Sequence, residues 1–131
     1  MKLVVNVDGG ARGNPGPAAI GVVVSDPDGA VLQEIAEPIG VATNNVAEYR
    51  ALLRGVETAR ALGAQELEIV GDSELVARQL SGTYRVKNAA LRPLYEEALR
   101  SLRGLRWRIR SVPREQNARA DALVNAALDG R

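Results

Sequence analysis

The spacing of apolar residues changes character near residue 45 and divides the chain into two halves. Residues 2–8 (Lys-Leu-Val-Val-Asn-Val-Asp) are Val-rich and alternate, as a half-buried strand does. Residues 9–17 are turn-rich and contain Gly13-Asn14-Pro15-Gly16-Pro17. Residues 18–25 predict a second strand, Asp26-Pro27-Asp28-Gly29 a tight turn, and residues 30–39 a third strand. Short turns between three strands imply an antiparallel meander. From Asn45 to Leu62 the apolar positions 49, 52, 53, 56, 59 and 62 follow helical spacing, with Asn45 placed to cap the start and Gly63 to end it. A fourth strand (65–71), a short helix (73–80), a loop (82–90), a helix (91–102), a fifth strand (106–112) and a last helix (117–128) complete the chain. The order β-β-β-α-β-α-α-β-α predicts an α/β fold. Its mixed five-stranded sheet has three antiparallel strands, then two parallel ones with right-handed crossovers, and is flanked by helices.

At 131 residues the chain fits one domain, residues 1–131, with a real core. With no Phe and one Trp, that core must come from Val, Leu, Ile and Ala. Cys and His are both absent, which excludes disulfides, thiolate zinc sites, imidazole ligands and His-based acid–base catalysis. Any bound metal must therefore have oxygen ligands, which favours magnesium, manganese or calcium. Met1-Lys2-Leu3-Val4-Val5 runs straight into a strand, without a signal-peptide pattern or a membrane-length apolar run, so a cytoplasmic protein is expected.

Net charge is +1 but unevenly spread. Arg100, Arg103, Arg106, Arg108, Arg110, Arg114 and Arg119 are opposed within their segment only by Glu115. This basic face suits phosphates, or a solvated edge guarded against aggregation. The glycine-rich loop after the first strand is not a nucleotide-binding loop. Pro15 and Pro17 lead into a strand where such a loop opens a helix, and no Gly-Lys-Ser/Thr follows.

Four carboxylates carry the chemistry. Asp8 ends the first strand, as a turn residue or as a site residue at a carboxyl strand end. Glu48 lies three residues after Asn45, which is also the spacing of a capping box. Asp72 follows the fourth strand, where it can cap a helix, and Asp121 lies in the first turn or so of the last helix, where a carboxylate suits the dipole. Parallel pairing of strands one and four would bring Asp8 and Asp72 to neighbouring strand ends, with Glu48 and Asp121 near the same edge. Four such groups repel one another unless cations neutralise them.

Together these motifs resemble type 1 ribonuclease H: Asp8-Gly9-Gly10 with Gly13-Asn14-Pro15-Gly16-Pro17, Thr43-Asn44-Asn45 with Glu48, Asp72-Ser73, Val86-Lys87-Asn88, and Asn117 with Asp121. They span nearly the whole chain in the family's order. The resemblance implies an endonuclease that cuts the RNA strand of RNA/DNA hybrids and leaves 5′-phosphate and 3′-hydroxyl ends. It implies two magnesium ions, replaceable by manganese, on Asp8, Glu48, Asp72 and Asp121. It places Asn14, Asn44 and Asn45 against the hybrid, where an amide can meet 2′-hydroxyls in the minor groove. Thr43 and Asn88 match positions that hold a DNA phosphate, and Lys87 is a further substrate contact.

Two departures stand out. Ser81 to Ala90 is too short for the family's basic helical protrusion, although Arg85 and Lys87 remain. The loop before Asp121 has no His, which resembles a compact subgroup with an Arg in that region; Arg114 is the candidate to stabilise phosphate charge or aid product release. A monomer is expected, with a fused or partner domain possible beyond Asp129-Gly130-Arg131. The competing readings are a hybrid-binding module that does not cut and a nuclease for double-stranded RNA.

Overall fold

The computed structural model describes residues 1–130 and gives the element order expected from the sequence. Strands β1 (Lys2–Ala11), β2 (Gly16–Ser25), β3 (Val31–Ala42), β4 (Glu66–Gly71) and β5 (Arg106–Ser111) form one sheet in the order β3-β2-β1-β4-β5. The β3-β2-β1 pairs are antiparallel, and β1-β4 and β4-β5 are parallel. Helices α1 (Asn44–Ala61), α2 (Glu74–Leu80), α3 (Arg92–Ser101) and α4 (Ala118–Leu128) flank it, with a 3-10 turn at Arg114–Asn117 before α4.

Alternation along β1 sets the two faces of the sheet. Leu3, Val5 and Val7 are buried beneath α1, where Gly55 lets the helix settle onto Val5 and Val7. Leu52, Val56 and Ala59 of α1, Ile69 of β4 and Ala98 of α3 join the same aliphatic core. Tyr49, its largest fully buried side chain, donates its hydroxyl to Oε1 of buried Gln79 at 2.6 Å, so neither polar group is left unpaired. The opposite face carries α4, packed on β1, β2 and β3.

Three local expectations change. The turn-rich 9–17 segment is mostly strand: β1 continues to Ala11 and β2 begins at Gly16, because cross-strand pairing runs on to Ala11 and Ala18. Thr43, not Asn45, caps α1, accepting from the Val46 amide at 3.2 Å. Ser73, not Asp72, caps α2, accepting from the Val76 amide at 3.2 Å. Both carboxylates with a possible capping role, Glu48 and Asp72, are thereby left for the cleft.

Candidate active site

The carboxylates meet where the two parallel central strands end. Asn6 of β1 lies beside Val70 of β4, and continuing that register sets Asp8 beside Asp72. Two glycines bring the helices in. A Cβ on Gly9 would collide with the Ala47 carbonyl and crowd the Glu48 amide, so only glycine admits the first turn of α1 this close to β1. That contact delivers Glu48 to Asp8. On the other face, a Cβ on Gly21, the β2 partner of Asp8, would strike the Ala120 carbonyl. The close fit there delivers Asp121. Asn117, buried at the start of α4, fixes this junction by donating to the Val7 carbonyl at 2.9 Å and accepting from Asn6 Nδ2 at 3.0 Å.

Asp8, Glu48 and Asp72 each offer an oxygen, and these oxygens lie within 4.8 Å of one another. Asp121 stands outside that trio but shares a side-chain hydrogen bond with Asp8. The crowding shows in the acidities. Burial, then the charges of Asp72 and Asp121, push the Asp8 carboxyl up to about 8. Burial, then Asp8 and Asp72, push Glu48 up to about 9, against a lowering hydrogen bond from the Gly9 amide. Arg114 on the 3-10 turn offsets little of this: its Nε stands 3.5 Å from Asp72 Oδ2 and its side chain is 75% exposed. An all-oxygen, mutually repelling set fits a hard divalent cation and offers nothing to a soft one.

The cleft over these groups is also lined by Asn44, Asn45, Ser73, Arg114 and Asn125, and on its far side by Arg12 and Leu128. The family model described as "Reverse transcriptase-like" matches residues 6–127. The ribonuclease HI of Halobacterium salinarum is 47% identical over 93% of this chain and 62% of its own length. The crystal structure of RNase H1 from that organism superposes with a TM-score of 0.97 at 44% identity, covering all of both chains. The chain belongs to the type 1 ribonuclease H family. A second ribonuclease H, LC11-RNase H1 from compost, was crystallised in complex with an RNA/DNA hybrid; it is 43% identical, with a TM-score of 0.93 over 98% of this chain and 97% of that one. The "Bifunctional protein Rv2228c" of Mycobacterium tuberculosis is 48% identical over 98% of this chain, which spans only 36% of that relative's length.

Against this ribonuclease H frame, the four carboxylates, Arg114, Asn44 and Asn45 share one cleft, whereas Asn14, Thr43, Lys87 and Asn88 do not line it. The asparagine amides are partly committed. Asn14 Oδ1 accepts from the Asn44 amide at 3.0 Å, and Asn44 Oδ1 accepts from the Ala11 amide at 2.8 Å. Each keeps its NH2 free to donate, and the pair ties the β1–β2 turn to the start of α1. Asn45 is exposed and makes no side-chain hydrogen bond among the described residues. Asn88 folds back on its own turn, with Oδ1 accepting from the Ala90 amide at 2.8 Å, while Lys87 lines a separate groove with Tyr84, Arg85, Arg92 and Tyr95. Part of the basic face is paired: Arg108 and Arg110 reach Glu68, which lowers its pKa, and Arg119 reaches Glu34. Sequence reasoning assigned no role to Arg12, Ser73 or Asn125. Asn125 donates to the Asp121 carbonyl at 3.1 Å, a helical i,i+4 spacing that is readable in the sequence once Asp121 is chosen.

Proposed function

We propose that this chain is a metal-dependent endoribonuclease that cuts the RNA strand of RNA/DNA hybrids and leaves 5′-phosphate and 3′-hydroxyl ends. One observation carries the reading: three buried or half-buried carboxylates, within 4.8 Å of one another, sit under a cleft rimmed by free amide donors in a ribonuclease H fold. The named relatives agree with it, and one of them was crystallised with such a hybrid.

Asp8, Glu48, Asp72 and Asp121 would hold two magnesium ions, or manganese in their place. Such a pair supplies Lewis acidity at the phosphate and a water acidic enough to attack at neutral pH. The reaction is hydrolysis: the water oxygen joins phosphorus, the bond to the 3′ oxygen breaks, and that oxygen leaves as a hydroxyl. Asp8, whose pKa both Asp72 and Asp121 raise, would help hold both ions. Arg114, mobile enough at its exposure to leave Asp72, stabilises the phosphate's charge; as a guanidinium it moves no proton. Asn44 and Asn45 donate to the minor groove, where RNA presents 2′-hydroxyls. Asn14 acts through Asn44, whose amide it holds. Thr43 and Asn88 meet a phosphate of the DNA strand, and Lys87 is a further substrate contact.

The chain works as one domain and a monomer in the cytoplasm, alone or joined to a second activity, as the length of the mycobacterial relative suggests. No described helix is long and apolar enough to cross a membrane. The test is incubation of an end-labelled hybrid with magnesium, beside single-stranded and double-stranded RNA, with analysis of the product ends. Cutting of the hybrid alone, with 5′-phosphate products, is expected. Cutting of double-stranded RNA at a comparable rate, or of nothing, would overturn the assignment.

A further inference from the structure

Two arginines line the cleft, and the nuclease reading uses only one of them. Arg114 stands against Asp72, which follows β4. Arg12 is the first residue after β1 and opens the turn into β2, the other neighbour of β1. Its backbone is fixed: the Arg12 amide donates to the Pro17 carbonyl at 2.8 Å, and the preceding Ala11 amide donates to Asn44 Oδ1. Its side chain is half exposed and pairs through Nη1 with Asp129 Oδ1 at 2.6 Å, just past the end of α4. An exposed pair of this kind stabilises a fold little, so it is a weak reason for an arginine to sit there. A guanidinium is planar and multiply donating, and it can face a second anion while one edge stays on a carboxylate.

We propose that Arg12 binds a phosphate of the strand lying across the carboxylates, on the side opposite Arg114, and that Asp129 both aims the guanidinium and competes with that phosphate for it. This rests on the nucleic-acid reading of the cleft and adds a contact to it. A strand crossing the acidic floor would then be held by a cation at either end, which offsets the repulsion from the centre. Arg12 is a binding residue here and touches no reacting atom.

The two partners of this ion pair separate the proposal from a purely structural role. Loss of either Arg12 or Asp129 removes the bridge, so a clamp predicts the same effect from both. A phosphate contact predicts opposite effects. Binding of a labelled RNA/DNA hybrid is measured by fluorescence anisotropy across a salt series, with calcium in place of magnesium so that turnover does not enter the readout. Arg12→Ala is expected to weaken binding roughly three- to tenfold and to lower the salt slope by about one. Arg12→Lys is expected to restore the slope, and Asp129→Asn to bind as well as the wild type or better. Equal weakening by Arg12→Ala and Asp129→Asn with matching losses of Tm, or no change on Arg12→Ala, would overturn the proposal. So would a wild type that binds no hybrid. A wild type that binds the hybrid in calcium but does not cut it in magnesium would count against the nuclease reading and leave the Arg12 contact standing.

Discussion

The floor of the cleft and its rim are built on opposite terms. On the floor, Asp8 and Glu48 are crowded and desolvated, and both hold their protons well above the usual carboxylate range. Little relieves them: the Gly9 amide bonds Glu48, and Arg114 is exposed and pairs with Asp72. Around it, Asn44 of the rim and Asn14, Thr43 and Asn88 outside the cleft are each satisfied by a backbone amide, and they stabilise the turns they stand on. The floor therefore costs the fold stability that a bound cation would return, while its surround contributes stability whether or not substrate is present. A residue's share in function is easiest to isolate where it has no structural duty. On the floor this holds for every carboxylate, and on the rim chiefly for Asn45.

The largest effect expected is at the centre of the floor. Asp8→Asn should cut turnover by at least about 100-fold. In metal-free protein at pH 9 the same variant should melt higher than the wild type, because it removes a desolvated, repelled charge. Thermal melts beside rate measurements check both signs, and a variant that is inactive and also less stable would show that Asp8 is a structural residue after all.

Next comes the packing that assembles the floor. Gly9→Ala forces a methyl group into the Ala47 carbonyl and should cost about 1–3 kcal/mol in denaturant unfolding, with activity lost because Glu48 is displaced. An unaltered unfolding midpoint would mean that α1 does not depend on that close approach.

The pH dependence sharpens the contrast further. Asp8 and Glu48 have folded-state pKa values raised from 3.8 to about 8 and from 4.5 to about 9. Between the unfolded and folded values the native state binds more protons than the unfolded chain, so stability must fall as pH rises through that window. Metal-free protein should lose Tm from pH 4 to pH 9, and added magnesium should restore more of it at the alkaline end. A metal-free Tm that is flat or rises over the same range would contradict the crowding argument.

The smallest effects separate two near neighbours at the start of α1. Thr43→Ala should lose about 1 kcal/mol of stability with the missing cap, whereas Asn45→Ala should leave Tm unchanged and raise KM. Equal Tm losses would mean that Asn45 also has a structural duty.

Much of this was legible in the chain because it is local. Alternation in β1 and β2 and the 3.6-residue spacing of α1 follow from which faces meet the core, and the shared strand ends of Asp8 and Asp72 follow from parallel pairing. The cap of α1 was expected at Asn45 and is Thr43, since three consecutive residues, Thr43-Asn44-Asn45, can each form a cap and only the helix's actual entry angle chooses among them. Contacts between distant segments were not legible. The Asn14–Asn44 tie, the Glu68 pairs of Arg108 and Arg110, and the Arg12–Asp129 bridge join residues that no local pattern relates. The arginine-rich last third therefore read as a phosphate face or a solvated edge, and the sequence did not show that Arg108, Arg110 and Arg119 are paired with glutamates.

The central claim is that the floor is poised for divalent cations. Its most direct test is titration calorimetry of the wild type and Asp8→Asn with magnesium, and with manganese, at pH 7, in buffers of different ionisation enthalpy. The account predicts binding that releases protons, because Asp8 and Glu48 are largely protonated at that pH without metal, and binding that is lost in Asp8→Asn. Binding without proton release, or binding that survives the loss of Asp8, would contradict it.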